Sequence, residues 1–132
     1  MSEFTEEIKG IFSHTGLLAE TEGFEFRPQQ QQMAVDVADS LESGKHFIVE
    51  GPTGVGKSLA YLVPSILYAV RNERKAIIST CTINLQEQLI NKDIPELAKL
   101  LGVDFKYEIL KGRNNYICTK RLNKAMIEKS SL

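Results

Sequence analysis

A glycine-rich octapeptide between two apolar segments constrains this chain more than any other part of its sequence. The segment Gly51 to Ser58, GPTGVGKS, fits the pattern G-x-x-x-x-G-K-[ST] at every fixed position. The apolar run before it, residues 46–49, is too short for a helix, whereas apolar residues from Leu59 to Val70 recur at intervals of three and four. This order of strand, glycine loop and helix is the context in which the pattern binds phosphate groups.

Each residue type in the loop has a chemical reason to be there. Glycines let the backbone curl round a phosphate, while successive N–H groups and the following helix N-terminus offer donors and partial positive charge. We expect Lys57, the candidate catalytic residue, to reach the terminal phosphates, and Ser58 to hold Mg²⁺ through its hydroxyl. The predicted nucleotide-binding residues of the loop are Gly51, Pro52, Thr53, Gly54, Val55, Gly56, Lys57 and Ser58.

Strands are predicted to alternate with helices along the whole chain. The predicted strands are residues 46–49, 76–79 and 105–110, all short and rich in branched or aromatic residues. The predicted helices are residues 4–12, a segment from Pro28 to a stop at Gly44, the stripe after the glycine loop, and residues 85–90 and 94–101, the last two separated near Pro95. This alternation predicts an α/β fold with a parallel sheet covered by helices on both faces.

Composition limits the size and the cellular setting of the fold. A chain of 132 residues with 42% hydrophobic and 25% charged residues can form one domain, but an ATP-driven motor normally needs two or more. We therefore expect a truncated part of a longer motor. No apolar run reaches the roughly 18 residues of a membrane helix, and the acidic start lacks a signal-peptide pattern. The expected location is the cytoplasm, with no membrane partner.

Two segments flanking the loop leave alternatives open when taken alone. Gln30 follows Arg27-Pro28 at a helix start, where its amide matches the edge of adenine or simply forms part of a polar first turn. The stretch from Ser79 to Leu89, STCTINLQEQL, places hydroxyls and amides where they suit nucleic-acid phosphates, or where Thr82 or Asn84 caps a helix.

Together these segments resemble the first motor domain of superfamily 2 helicases, most closely the DinG-like and XPD-like iron–sulphur branch. The R-P-x-Q motif of that family is matched by Arg27 and Gln30, which the resemblance assigns to nucleotide binding. It likewise implies that Thr80 and Thr82 face the backbone of single-stranded DNA. The implied fold is a RecA-like P-loop NTPase, and the implied ligands are ATP and Mg²⁺. In full length such a protein couples ATP hydrolysis to single-stranded DNA translocation and unwinding.

The segment Lys111 to Cys118, KGRNNYIC, resembles the stretch that delivers the first cysteine ligand of the iron–sulphur cluster in this branch. Cys118 occupies the ligand position, although alone it also suits a small, half-buried apolar site. A 4Fe–4S cluster needs about four thiolates. The chain has only two cysteines, so the cluster is expected only in a full-length relative. Cys81 matches no ligand position and is predicted to lie in the core.

These inferences divide the chain into three predicted parts. Residues 1–25 form an N-terminal helical element, residues 26–118 a partial helicase ATP-binding domain, and residues 119–132 the truncated start of the iron–sulphur insertion. We expect weak MgATP binding and negligible hydrolysis, since no acidic metal-holding motif is evident. The alternative is a non-catalytic nucleotide- or nucleic-acid-binding module. A small-molecule kinase or GTPase would leave KGRNNYIC unexplained. The sequence makes no prediction of oligomeric state.

Overall fold

Helices account for all the regular structure in the part of the chain that is described, residues 1–130 of a computed structural model. The α-helices are α1 (Glu3–Ile11), α2 (Pro28–Ser43), α3 (Lys57–Arg71), α4 (Ile83–Gln88), α5 (Ile94–Leu101) and α6 (Thr119–Ser130). Short 3₁₀ turns span Leu17–Glu20 and Arg113–Asn115, and a π-helical turn spans Leu89–Asp93. Across residues 1–130, no helix has the length and apolar character that crossing a bilayer requires.

The helix ends follow the local signals in the sequence. Ser2 caps α1, because its Oγ accepts a hydrogen bond of 3.1 Å from the backbone N–H of Thr5. Pro28 occupies the first turn of α2, where its missing N–H costs nothing. Gly44 then ends α2 at a φ of 67°, a left-handed conformation that glycine adopts without strain. The predicted start and stop of this helix are confirmed.

The core lies where α2 packs against α1 on one side and against α3 on the other. Three alanines with no exposed surface, Ala34, Ala38 and Ala60, let the backbones of α2 and α3 approach closely. Larger side chains fill the remaining space, among them Phe4, Ile8, Phe12, Leu18, Leu62, Val63, Ile66 and Leu67. The glycine loop joins the core directly, because α3 begins inside the loop at Lys57.

The three predicted strands are not observed among residues 1–130, so the predicted helix-covered parallel sheet is wrong for this part of the chain. Ile48 is 96% exposed and Ile77 is 92% exposed, whereas a buried strand would hide both side chains. Short apolar runs suit buried strands, but a strand also requires a neighbour to hydrogen-bond its backbone. Within the described range these segments run without such a ladder. The helices bury their apolar faces against one another instead.

The predicted separation between two helices near Pro95 is also wrong. Residues 83–101 run continuously from α4 through the π-helical turn into α5, and Gln88, Leu89, Asp93 and Ile94 all keep right-handed helical dihedrals. Proline lacks a backbone N–H and its ring clashes with the carbonyl four residues earlier. A wider π turn ahead of Pro95 accommodates both problems without ending the helix. The predicted end at Gly102 is confirmed, with a φ of 63°.

Candidate nucleotide and nucleic-acid site

The glycine loop is an exposed turn whose shape depends on two left-handed glycines. Gly54 has a φ of 86° and Gly56 a φ of 81°, conformations that side-chain-bearing residues rarely adopt. Gly56 directly precedes Lys57, the first residue of α3. The loop therefore delivers the chain to the N-terminus of a fifteen-residue helix, where backbone N–H groups and the helix dipole favour an anion.

Gln30 fixes the last turn of the loop from α2. Its side chain is buried, and its Nε2 donates a hydrogen bond of 2.9 Å to the Gly56 carbonyl. A Cβ at position 56 would lie 2.2 Å from that nitrogen, so any other residue there would displace the Gln30 amide as well as strain the backbone. A merely polar first turn therefore does not describe Gln30. The contact of Gln30 with adenine stays a prediction. Its hydrogen bond to the glycine loop was not predicted from the sequence.

Arg27 holds the same loop at a second carbonyl. Its Nη1 donates to the carbonyl oxygen of Gly54, while its Nη2 pairs with Glu25 at 3.2 Å. Immediately before it, the Phe26 ring lies against the ring of His14, with 3.8 Å between centroids. Arg27 and Gln30, both predicted to bind the nucleotide, thus both donate to backbone carbonyls of the glycine loop.

The Lys57 side chain folds back over the glycine loop. Its Nζ donates to the Gly51 carbonyl at 2.7 Å and lies 3.4 Å from the Pro52 carbonyl. These contacts hold the ammonium group beside the loop's own backbone. Ser58 follows in the first turn of α3, next to Lys57, and contributes a hydroxyl at the same end of the helix. Pro52, Thr53 and Val55 complete the predicted set within the loop; Pro52 and Thr53 are exposed.

The predicted nucleic-acid residues lie at the N-terminus of α4. The Thr82 Oγ1 accepts a hydrogen bond of 3.3 Å from the Leu85 N–H, so Thr82 caps the helix. The Thr80 hydroxyl donates to the Thr82 carbonyl at 3.2 Å. Thr82 is exposed, and accepting one bond leaves its hydroxyl proton able to donate to a phosphate oxygen. The capping role is confirmed, and the contact with DNA stays a prediction.

The segment ahead of Cys118 is tied to α4 by contacts that the sequence did not reveal. Lys111 Nζ pairs with Glu87 Oε1 at 2.6 Å, and Gln86 Nε2 donates to the Leu110 carbonyl at 3.2 Å. The hydrogen bond from Lys111, then its charge, then a hydrogen bond from Asn91 lower the pKa of the Glu87 carboxyl. Opposite charges 24 residues apart carry no periodic signal, so only the folded chain brings them together.

Both cysteines are exposed and unlinked. The predicted core position of Cys81 is therefore wrong: it lies in the exposed stretch between Ser79 and Thr82, ahead of α4, where no element packs over it. Cys118 is not half-buried either, and it directly precedes α6. No group of three or more His, Cys, Asp or Glu side chains in residues 1–130 is placed to hold a metal ion. Two cysteines do not fit an iron–sulphur cluster by themselves, so its ligation by Cys118 stays a prediction.

Comparison with known protein families shows which family this chain belongs to. The family described as DEAD/DEAH box helicase matches residues 27–128, which include Arg27, the glycine loop, Thr82 and the Lys111 segment. The chain belongs to the DEAD/DEAH box helicase family. The resemblance inferred from the motifs of the sequence is thereby confirmed.

Individual relatives of this helicase chain are bacterial ATP-dependent DNA helicases. It is 37% identical over 127 residues to YoaA of Haemophilus influenzae, covering 96% of this chain and 19% of that protein. It is 42% identical over 104 residues to DinG of Mycobacterium tuberculosis, covering 76% of this chain and 16% of the relative. The match to DinG of Escherichia coli is 42% over 98 residues, 73% of this chain and 14% of the relative. The helicase chain thus spans less than a fifth of the length of these relatives.

Proposed function

We propose that this chain is the ATP-binding part of an ATP-dependent DNA helicase and binds MgATP at the loop from Gly51 to Ser58. The observation that carries the proposal is the loop itself. Two left-handed glycines lead into the N-terminus of α3, and the side chains of Arg27 and Gln30 donate to the carbonyls of Gly54 and Gly56. Turning carbonyls toward these donors leaves the N–H groups of the loop to face an anion.

Lys57 is the residue that moves when phosphate arrives. Its ammonium group exchanges the Gly51 carbonyl, now 2.7 Å away, for a phosphate oxygen that carries a full negative charge. An anionic phosphate oxygen adds Coulombic attraction to the hydrogen bond that the ammonium group donates, so the exchange favours the bound state. Ser58 supplies one oxygen ligand to Mg²⁺, which neutralises charge on the phosphates when bound.

The amide group of Gln30 is proposed both to bind adenine and to hold the shape of the glycine loop. One of its two N–H donors is already committed to Gly56 at 2.9 Å. The carbonyl oxygen and the second N–H remain as the acceptor and donor that adenine can match. Because the amide is buried, it cannot reorient freely, so binding of the base and shape of the phosphate loop are expected to depend on each other.

Thr80 and Thr82 are proposed to contact the sugar–phosphate backbone of single-stranded DNA. Neutral hydroxyl donors at a helix start bind phosphates without reading the sequence of bases. In a longer protein, such contacts would link ATP hydrolysis to movement along DNA. For the chain itself we expect binding with negligible turnover, since no acidic metal-holding motif is evident in its sequence.

Titration calorimetry of MgATP into the purified chain tests the proposal, with two matched lysine variants. Lys57→Ala removes the phosphate ligand, whereas Lys75→Ala removes an exposed lysine outside the loop. We expect saturable binding that is lost in Lys57→Ala and kept in Lys75→Ala. Absence of binding in a chain whose helices are intact by circular dichroism contradicts the proposal.

A turnover assay with single-stranded DNA separates binding from catalysis. We expect no phosphate release above the level of Lys57→Ala, even with DNA present. DNA-stimulated turnover that Lys57→Ala abolishes would show that the chain is a complete catalyst. DNA binding that weakens with salt, without any MgATP binding, would favour the alternative of a nucleic-acid-binding module.

A further inference from the structure

Two polar contacts join α4 to the segment that leads to Cys118. The Glu87–Lys111 ion pair has its atoms 2.6 Å apart, and the Gln86 amide lies 3.2 Å from the Leu110 carbonyl. We call these four residues the clasp. Lys111 is half-buried, whereas every residue from Gly112 to Cys118 is exposed, so the clasp is where this segment meets the rest of the molecule.

Further hydrogen bonds extend the clasp in both directions. Asn91 donates to the second carboxylate oxygen of Glu87 at 3.0 Å, which anchors that side chain to the π-helical turn. The backbone N–H of Lys111 donates to the Tyr116 hydroxyl at 3.0 Å, which folds the segment back on itself. Glu87 is therefore held by both its oxygens, and Lys111 by its side chain and its backbone.

The clasp connects the start of α4, where DNA is proposed to bind, to the segment that bears Cys118. Glu87 lies on the short helix α4, which Thr82 caps. Tyr116, bound to Lys111, stands two residues before Cys118. A shift of the start of α4 is thereby passed through one helix and one ion pair to the segment bearing Cys118.

We propose that Glu87 is a positioning residue that couples occupancy of the nucleic-acid surface at Thr80 and Thr82 to the segment 111–118 through Lys111. This inference rests on the proposed DNA contact and deepens it. Bound DNA holds the start of α4, the clasp holds the following segment, and Cys118 becomes less accessible. Since a partly exposed ion pair contributes little, the coupling amounts to about a threefold change in accessibility.

The reaction rate of the Cys118 thiol measures this coupling in the full chain. In a Cys81→Ser background, Cys118 is the remaining cysteine, so a chromogenic disulfide reagent reports on it alone. We expect a single-stranded oligothymidine to slow the reaction about threefold. Glu87→Gln keeps the shape of the side chain and removes its charge, so the rate should no longer respond to DNA. Binding of the oligonucleotide itself, followed by fluorescence anisotropy, should persist.

Matched variants decide whether the ion pair is responsible. Glu108→Gln removes an exposed carboxylate outside the clasp and should preserve the DNA response. Lys111→Met should abolish it, and exchanging the charges in Glu87→Lys with Lys111→Glu should restore it. A merely structural role for Glu87 predicts no recovery in the exchanged pair.

The outcomes separate this inference from the proposed function. If DNA binds but the Cys118 rate does not change, or changes equally in Glu87→Gln, the coupling is overturned while the DNA contact stands. If the oligonucleotide does not bind to the folded chain, the proposed DNA contact fails and the coupling fails with it.

Discussion

The two halves of the molecule differ in how much of their apolar surface is buried. In residues 1–71, three helices bury their apolar faces, and side chains such as Ile8, Leu62 and Val63 have no exposed surface. In residues 73–118, Leu89 and Leu97 join the core, but apolar side chains such as Ile77 and Leu110 are largely exposed. Polar contacts connect α4 to the segment around Lys111.

This difference has energetic consequences for the two candidate surfaces. Burying a large aliphatic side chain stabilises a fold by about 1.5–3 kcal/mol, whereas an exposed ion pair contributes about 0–1 kcal/mol. The phosphate loop is therefore mounted on a rigid packed layer. The candidate nucleic-acid surface lies at the start of α4, where Leu85 packs against the core and only polar contacts reach the segment around Lys111.

The largest effect is expected from truncating leucine in the two halves. Leu62 is fully buried, so Leu62→Ala should lower the free energy of unfolding by about 2–5 kcal/mol through lost burial and a cavity. Leu110 is 85% exposed, so Leu110→Ala should change the free energy of unfolding by less than about 0.5 kcal/mol. Urea denaturation followed by circular dichroism compares them. Similar losses would erase the contrast between the halves.

The next largest effect concerns the two left-handed glycines of the loop. Alanine at either position costs about 1–2 kcal/mol for the dihedral angle alone. Gly54→Ala meets no atom within 4 Å, whereas Gly56→Ala places its methyl 2.2 Å from the Gln30 amide. We expect Gly56→Ala to be the more destabilising variant and to weaken MgATP binding further. In a Gln30→Ala background the difference between the two glycine variants should disappear, which urea denaturation will show.

A smaller effect is expected at the edge of the packed layer. Arg71 pairs with Glu7 at 2.5 Å and lies over the Phe4 ring at 5.4 Å, and the hydrogen bond with Glu7 raises the pKa of Arg71 despite partial burial. Arg71→Met should lower the free energy of unfolding by about 0.5–1 kcal/mol. Arg71→Lys keeps the charge and should lose less. Thermal melts of the three proteins measure the order; equal losses would assign the effect to packing alone.

The smallest effect is the titration of Glu87. Its pKa is depressed in the folded chain, chiefly by the hydrogen bond from Lys111, with Asn91 facing its other oxygen. The ion pair therefore contributes fully above the ordinary glutamate pKa of about 4.3 and is lost as the pH falls through the lower folded value. Carboxyl NMR titration should show this lowered pKa. Lys111→Met should return it toward the ordinary value, and an unchanged pKa would mean that Lys111 is not its cause.

Sequence patterns predicted the helical elements well because their signals are local. The cap at Thr82 and the stops at Gly44 and Gly102 each depend on residues within one helical turn. The three strands were mispredicted because a strand also needs a partner distant in sequence, and a short apolar run does not supply one. The π turn ahead of Pro95 escaped prediction because a proline alone reads as a helix boundary.

The candidate site likewise has one part that the sequence predicted and one part that it did not. The loop from Gly51 to Ser58 could be found from its pattern, since glycine conformations and a following helix are encoded in eight consecutive residues. The partners of the loop could not be found. That Gln30 donates to Gly56 depends on how α2 packs against α3, which no spacing in the chain states.

The sequence by itself determined the family, the glycine loop and most helix boundaries, because each depends on residues that lie close together in the chain. Only the tertiary structure decided that Arg27 and Gln30 hold the loop, that Cys81 is exposed, and that Glu87 meets Lys111. These facts depend on which distant surfaces come into contact. Such contacts result from the hydrophobic effect, which depends on the apolar area buried over the whole chain and has no direction. The residues that it brings together therefore carry no recognisable local pattern.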